Sequence, residues 1–291
     1  MAPRAGIVPF SARHARRDID RVVIMLRHTA VALTALALRV GAQDSATATV
    51  VDSVVPKIAT RAAVPFGAGE RADYSVKYGP FSVGSGVMEV IGLDTIRGLE
   101  TWHTIFRVRG GVPGFRVNDR MESWIDTQTL SSLRHRQELS EGSRERERQF
   151  EIFPDQRHYV EEGQPPQPTV ENPLDDGSFL YFIRTIPLEI GKEYVFERYF
   201  KPDRNPVRIK VLRRESISVP AGKFDAVVVQ PIIKARGVFS ENGRAEVWLS
   251  DDDRRVMIQM KSHLKFGSLN LYLKSYRPPT AAPPDTSVAK R

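Results

Sequence analysis

The chain reads as a mainly β protein: one large antiparallel sheet, curled into an open or closed barrel-like meander, with one short helix. Three observations predict this class. Apolar and polar residues alternate at period two through most of residues 70–276, the spacing of strands with one face in a core. Turn residues such as Gly79-Pro80, Glu141-Gly142-Ser143 and Ala221-Gly222 punctuate the alternation. The strands so delimited are too many for one flat sheet, and curling toward a barrel removes unpaired edges.

The first strand spans 70–78, with Ala72, Tyr74, Val76 and Tyr78 on alternate positions. Gly79-Pro80 turns the chain into a strand over 81–93, where Gly84 and Gly86 mark a bend or bulge. In 100–109, Trp102, Thr104, Phe106 and Val108 share one face, and His103, Arg107 and Arg109 the other. A strand over 117–126 carries Met121, Trp124 and Ile125, and 134–140 with 144–153 form a hairpin. Pro165, Pro166 and Pro168 make 161–172 a loop. Asp175 or Asp176 then caps a short helix over 178–184, whose Phe179, Leu180, Phe182 and Ile183 pack on the sheet. Strands resume at 193–200 and 207–219, the second alternating Val207, Ile209 and Val211 with Arg208 and Lys210. The strand over 224–233 contains Val227-Val228-Val229, apolar on both faces as in a central strand. Strands at 244–249, 255–264 and 268–276 complete the sheet.

Residues 25–42 read as a signal peptide. Arg27 and His28 give the positive start, 29–38 the apolar run, and Val40-Gly41-Ala42 the small-residue cleavage end. The run is too short to anchor in a bilayer, so the processed chain is not expected to span a membrane. Residues 1–24, rich in Arg and without periodicity, read as an upstream segment ahead of a true start at Met25. Residues 43–62 form a linker, 63–277 a single β-rich domain, and 278–291 a Pro- and Ala-rich disordered tail. The expected location is periplasmic or secreted.

The net charge of +8 does not belong to the domain. The first 42 residues hold seven Arg and two Asp, which leaves 36 basic against 33 acidic residues. A nucleic-acid binder would keep a basic stripe in its body, so no nucleic-acid partner is expected. There is no Cys. That excludes disulfides, thiolate metal sites, a Cys nucleophile and a lipid-modified Cys at the leader's end.

Four stretches together carry a resemblance. They are Phe66-Gly67-Ala68-Gly69-Glu70 with Tyr74 and Tyr78-Gly79-Pro80; Asp176-Gly177-Ser178-Phe179-Leu180-Tyr181-Phe182-Ile183-Arg184; Val219-Pro220-Ala221-Gly222-Lys223-Phe224; and Val247-Trp248-Leu249-Ser250-Asp251-Asp252-Asp253-Arg254-Arg255. In their order and spacing the body resembles the exported bacterial family known as domain of unknown function 3108. The resemblance implies export and a β-rich, barrel-like fold. It implies no activity, and no catalytic residue is carried over from it.

No cluster of residues forms a catalytic signature, and the reading favours binding over catalysis, with no cofactor. Trp102, Trp124 and Trp248 are candidates to line a ligand cavity, against a core-packing role for large buried rings. Arg144, Arg146 and Arg148 alternate with Glu145 and Glu147, and with Arg134 and Arg136 on the facing strand they offer a basic ridge for phosphate or carboxylate. The competing reading is a solvated hairpin with cross-strand ion pairs. Asp251-Asp252-Asp253 reads as a charge-balanced turn rather than a cation site. His103, His135, His158 and His263 lack metal-ligand spacing, so no metal is expected. The leading expectation is a soluble envelope module that binds a lipid or another hydrophobic or amphipathic molecule. The alternatives are an interaction or assembly factor for an envelope protein, and a carbohydrate-active hydrolase built on paired carboxylates.

Overall fold

The structure, a computed structural model, describes residues 64–112, 115–234, 245–264 and 267–280. The signal peptide, the Met25 start and the linker lie outside these residues. So does the tail beyond residue 280. Fourteen strands follow in chain order: β1 (Arg71–Tyr78), β2 (Phe81–Ile96), β3 (Leu99–Val112), β4 (Phe115–Asp126), β5 (Ser132–Glu141), β6 (Arg144–Phe153), β7 (His158–Glu161), β8 (Gln167–Pro168), β9 (Glu193–Phe196), β10 (Val207–Val219), β11 (Gly222–Ile232), β12 (Glu246–Ser250), β13 (Met257–Leu264) and β14 (Gly267–Arg277). One helix, α1 (Asp176–Phe182), lies between β8 and β9.

All fourteen strands form one antiparallel sheet in the order β8-β7-β6-β5-β4-β3-β2-β1-β14-β13-β12-β11-β10-β9. β1 pairs with β14, Arg71 opposite Arg277, so the first and last strands lie side by side in mid-sheet. The two edges, β8 and β9, come from the middle of the chain. The segment between them laces the edges together without a continuous ladder. Leu174 makes a parallel bridge to Tyr199, its N–H donating to Arg198 O at 2.5 Å and its carbonyl accepting from Phe200 N at 2.9 Å. Thr169 Oγ1 donates to Phe200 O at 2.6 Å, and Ser132 N to Pro173 O at 2.7 Å.

Helix α1 fills the inside of this curl. Residues 177–182 are all buried, and one continuous core joins Phe179, Leu180 and Phe182 to strand residues such as Val90, Phe150, Val229 and Leu271. Asp175 caps the helix, accepting from Gly177 N at 2.7 Å and Ser178 N at 3.0 Å, while Ser178 Oγ accepts from Asp175 N at 2.8 Å. This reciprocal box satisfies amides that a buried helix start would otherwise leave bare. A Cβ on Gly177 would lie 2.5 Å from Ser123 Oγ on β4, so a larger residue would push that hydroxyl off its bond to Asp175.

The elements differ from expectation in several places: β7 is a strand not expected from the sequence, and the helix expected over 178–184 runs over Asp176–Phe182. The strand expected over 81–93 runs on to Ile96, and it bulges at Val83, skipped between the pairs Val76–Gly84 and Lys77–Ser82, and at Ile91, skipped between the pairs Val90–Thr104 and Gly92–His103. Gly84 and Gly110 lie back to back on β2 and β3, where a Cβ on either would strike the other strand's backbone. The 161–172 loop contains β8, because Pro168 lacks an amide yet is harmless on an edge strand. β9 ends at Phe196 rather than residue 200, since Arg198 leaves the sheet to donate to the carbonyls of Asn172, Thr129 and Leu130 at 2.6, 3.2 and 3.2 Å. Within the expected tail, Thr280 N donates to Ala68 O at 2.9 Å, so its first residues are tied to the domain. Val227, Val228 and Val229 are fully buried in β11, as a central strand requires.

Candidate functional site

The residues that converge most closely lie where β6 and β7 meet the loop after β9. Alternation on β6 puts Arg148 and Phe150 on one face, and the register sets Phe150 opposite Glu161 on β7. Arg148 therefore reaches Glu161 with both arms of its fork, Nε to Oε1 at 2.6 Å and Nη2 to Oε2 at 2.7 Å. The bridge at Tyr199 delivers Phe200 to the same place. Phe150 and Phe200 meet edge to face at 5.2 Å, and Tyr159 meets Phe200 likewise at 5.2 Å. Three rings thus converge, with Phe150 and Phe200 buried and Tyr159 half-buried at the surface.

Lys201 follows directly. Its Nζ lies 4.8 Å from the Phe150 ring centre, 5.2 Å from Phe200 and 5.7 Å from Tyr159. All three are within cation–π range. Among the described residues no carboxylate comes within ion-pair distance of this ammonium. Burial, with the neighbouring guanidiniums of Arg148 and Arg204, pushes the Lys201 pKa down to about 8. The loop that carries it is braced: Asn205 accepts from Tyr199 N at 2.8 Å and donates to Tyr199 O at 2.9 Å. Arg204 Nη1 donates to Tyr199 Oη at 2.9 Å, Tyr199 Oη donates to Asp176 Oδ1 at 2.7 Å, and Gln137 Nε2 donates to Asp176 Oδ2 at 3.0 Å. The hydrogen bond from Arg148 holds the Glu161 carboxyl below its usual range, and burial raises the Tyr159 phenol. The result is an apolar, aromatic floor with cations on its rim.

Of the arginines singled out in the sequence, Arg148 belongs to this mouth. Arg144 and Arg146 continue its face of β6 but are exposed at the hairpin end. Arg134 and Arg136 do not join them in one ridge, because the register places both on the other face, with the glutamates. There Arg136 bonds Glu147 at 2.6 Å, and Arg134 bonds Glu151 at 2.5 Å. The tryptophans do not converge. Trp102 packs edge to face on Phe66 at 6.0 Å. Trp124 stacks on His103 at 4.4 Å and donates to Asp94 Oδ2 at 2.8 Å. Trp248 is buried between the Arg213 and Lys261 cations and donates to Glu215 Oε1 at 2.6 Å.

Lys201, Arg204, Tyr159, Tyr199 and Phe200 were missed from sequence. The only signal they leave is the run Tyr199-Phe200-Lys201 just past a strand. Asp251-Asp252-Asp253 is a turn, as expected: Asp252 Oδ1 accepts from the amides of Arg254 and Arg255, both at 3.1 Å, and Arg214 bonds Asp251 at 2.8 Å. The triplet borders an open cleft of about 610 Å³ with Leu188, Ile190 and Arg214.

The family described as a protein of unknown function, DUF3108, matches residues 73–274. The chain belongs to this family. Three solved structures resemble this DUF3108 member. The first is a β-barrel-like protein of domain of unknown function DUF1849 from Brucella abortus, with 9% identity and a TM-score of 0.45, over 73% of this chain and 98% of that one. Another is a candidate lipoprotein from Parabacteroides distasonis, with 13% identity and a TM-score of 0.35, over 75% and 100%. A third is a candidate exported protein with a YmcC-like fold from Bacteroides fragilis, with 11% identity and a TM-score of 0.27, over 73% and 97%. No curated protein matches the chain.

Proposed function

We propose that this chain is an exported envelope module that binds an amphipathic molecule at the mouth formed by Arg148, Tyr159, Phe200, Lys201 and Arg204. The export half rests on the leader at 25–42. The binding half rests on one observation. Lys201 is a half-buried ammonium ringed by three aromatic side chains, beside two guanidiniums and without a paired carboxylate. Such a cation costs stability, since burial disfavours charge and like charges repel. A methionine there would remove that cost, so a lysine is better explained by what it contacts from outside. The aromatic walls suit an apolar chain or ring, and the cations suit its polar end.

This reading moves the ligand from the inside of the curl to its rim, because α1 packs the interior. The hydrolase alternative gains nothing here: Glu161 is held by Arg148, and Asp176 by Tyr199 and Gln137. A reading as an assembly factor draws on the exposed Arg144 to Glu147 end of the β5–β6 hairpin. It predicts an in-cell cross-link to an envelope protein that is lost when Arg144 and Arg146 are reversed to Glu.

The test of the binding reading is native mass spectrometry on the full chain, expressed with its leader and recovered from the periplasm. An amphiphile should co-purify with the wild type and be lost from Lys201→Glu. Bare protein that also ignores added single-chain lipids, or full-length unprocessed chain in the cytosol, would sink it.

A further inference from the structure

We infer that the mouth recognises a phosphate group on the head of its ligand. This rests on the amphiphile reading above and adds the chemistry of the head. Three half-buried cations come together from separate places and feel one another's charge: Arg148 from β6, Lys201 from the loop after β9, and Arg204 from the 3-10 turn at Pro202–Arg204. Each keeps donors to spare. Arg148 spends Nε and Nη2 on Glu161, leaving Nη1. Arg204 spends Nη1 on Tyr199, leaving Nε and Nη2. Lys201 holds its ammonium against the rings, with none of its three protons given to a described acceptor.

The shape of that donor set decides between anions. A carboxylate is planar and offers two oxygens along one edge, which a single guanidinium satisfies in fork geometry. A phosphate offers oxygens in a tetrahedral array, matched by donors arriving from several directions. The surrounding rings exclude water from one side of Lys201, which strengthens each charge-assisted bond.

The carboxylates that face Lys201 do not block this. Glu161 on β7 is engaged twice by Arg148, and Asp176 at the start of α1 is engaged by Tyr199 and Gln137. Asp203, in the 3-10 turn, is exposed. The remaining titratable neighbour is the Tyr159 hydroxyl, a donor at neutral pH. An incoming anion therefore meets free N–H groups, with Glu161 and Asp176 already engaged and Asp203 the one neighbouring carboxylate turned to solvent.

Titration calorimetry on the full chain tests the inference with three probes: a lysophosphatidic acid, a monoacylglycerol of the same chain length, and inorganic phosphate. The lysophosphatidic acid should bind about tenfold or more tighter than the monoacylglycerol. Lys201→Met should weaken the phospholipid about tenfold and leave the monoacylglycerol unchanged, and Lys201→Arg should restore binding. Between about pH 7.5 and 9.5 a phosphate monoester is already doubly ionised. Over that range wild-type affinity should fall as Lys201 loses its proton near 8, while Lys201→Arg stays level. Should Lys201→Met fail to fold, the wild-type pH profile and Lys201→Arg still decide the matter.

Equal affinity for the two lipids, or a wild-type profile without the step, overturns phosphate recognition and leaves amphiphile binding standing. Binding of inorganic phosphate with neither lipid does the reverse: the anion site stands and the amphiphile reading falls. Indifference to all three removes both.

Discussion

The two ends of α1 handle positive charge in opposite ways. Past its C-terminal end, Arg184 is sealed in the core at 2% exposure. It is bonded to Glu70 at 2.6 and 3.1 Å and donates to the carbonyls of Pro65 and Arg254, both at 2.8 Å. Phe66 and Tyr181 flank it at 5.5 and 5.8 Å. Past the N-terminal end, Lys201 has rings of the same kind around it and no such carboxylate. Both sites place a cation against aromatic faces, but only one supplies the counter-charge from within. The first arrangement is complete in the folded chain and serves to hold it. The second leaves its counter-charge unsupplied by the described residues, as the binding proposal requires.

The contrast breaks most easily at its stronger end. Glu70→Gln leaves Arg184 buried without its counter-charge and should cost about 3–5 kcal/mol, read as a drop in denaturant midpoint at constant slope. Replacing both partners, as Glu70→Leu with Arg184→Met, should recover much of that loss. A cost under about 1 kcal/mol for the single change would erase the distinction between the two ends. At the N-terminal end the helix is held by its cap instead. Asp175→Ala removes the acceptor for Gly177 N, Ser178 N and Ser123 Oγ and should cost about 2 kcal/mol in chemical denaturation.

Lys201→Met should behave differently from both. It discards a desolvated cation and keeps the packing, so stability should hold or rise by up to about 1 kcal/mol while ligand binding suffers. Titration sharpens the point. Lys201 titrates near 8 when folded but at about 10.4 in an unfolded chain. In that window the unfolded state binds the extra proton, so this group makes stability rise as pH goes from about 8 to about 10. The rise should vanish in Lys201→Met when unfolding midpoints are compared across pH. The smallest effect belongs to the exposed hairpin, where Glu147→Gln breaks its pair with Arg136 and should shift stability by only a few tenths of a kcal/mol.

Much of the scaffold was legible because period-two alternation is a local signal. β10 matches its expected bounds, and Asp175 was one of two named caps for the helix. What the alternation could not supply was which strands are neighbours. That β1 lies against β14, or that Leu174 meets Tyr199, depends on contacts far apart in sequence. The mouth depends on the same contacts: Arg148, Tyr159 and Lys201 come from three elements and share no motif. Arg148 was marked out by its place in an alternating run. Arg134 and Arg136 were assigned to the same ridge because facing strands were assumed to align like residues. The actual register puts both on the glutamate face, Arg134 opposite Glu151 and Arg136 opposite Gln149, beside Glu147. The tryptophans were grouped by residue type, which carries no information about face or end.

The adjacency of β1 and β14 also constrains how the chain comes to be folded. Tyr276 bonds to Glu70 across 206 residues of sequence. The seam between the first strand and the last cannot form until the last strand has been made, although β1 can already pair with β2. Loop closure over such a distance is slow. A nascent chain therefore carries an unmatched β1 edge for most of its synthesis. Clipping either terminus past residue 71 or before 277 should split the sheet at its middle rather than merely trim an edge.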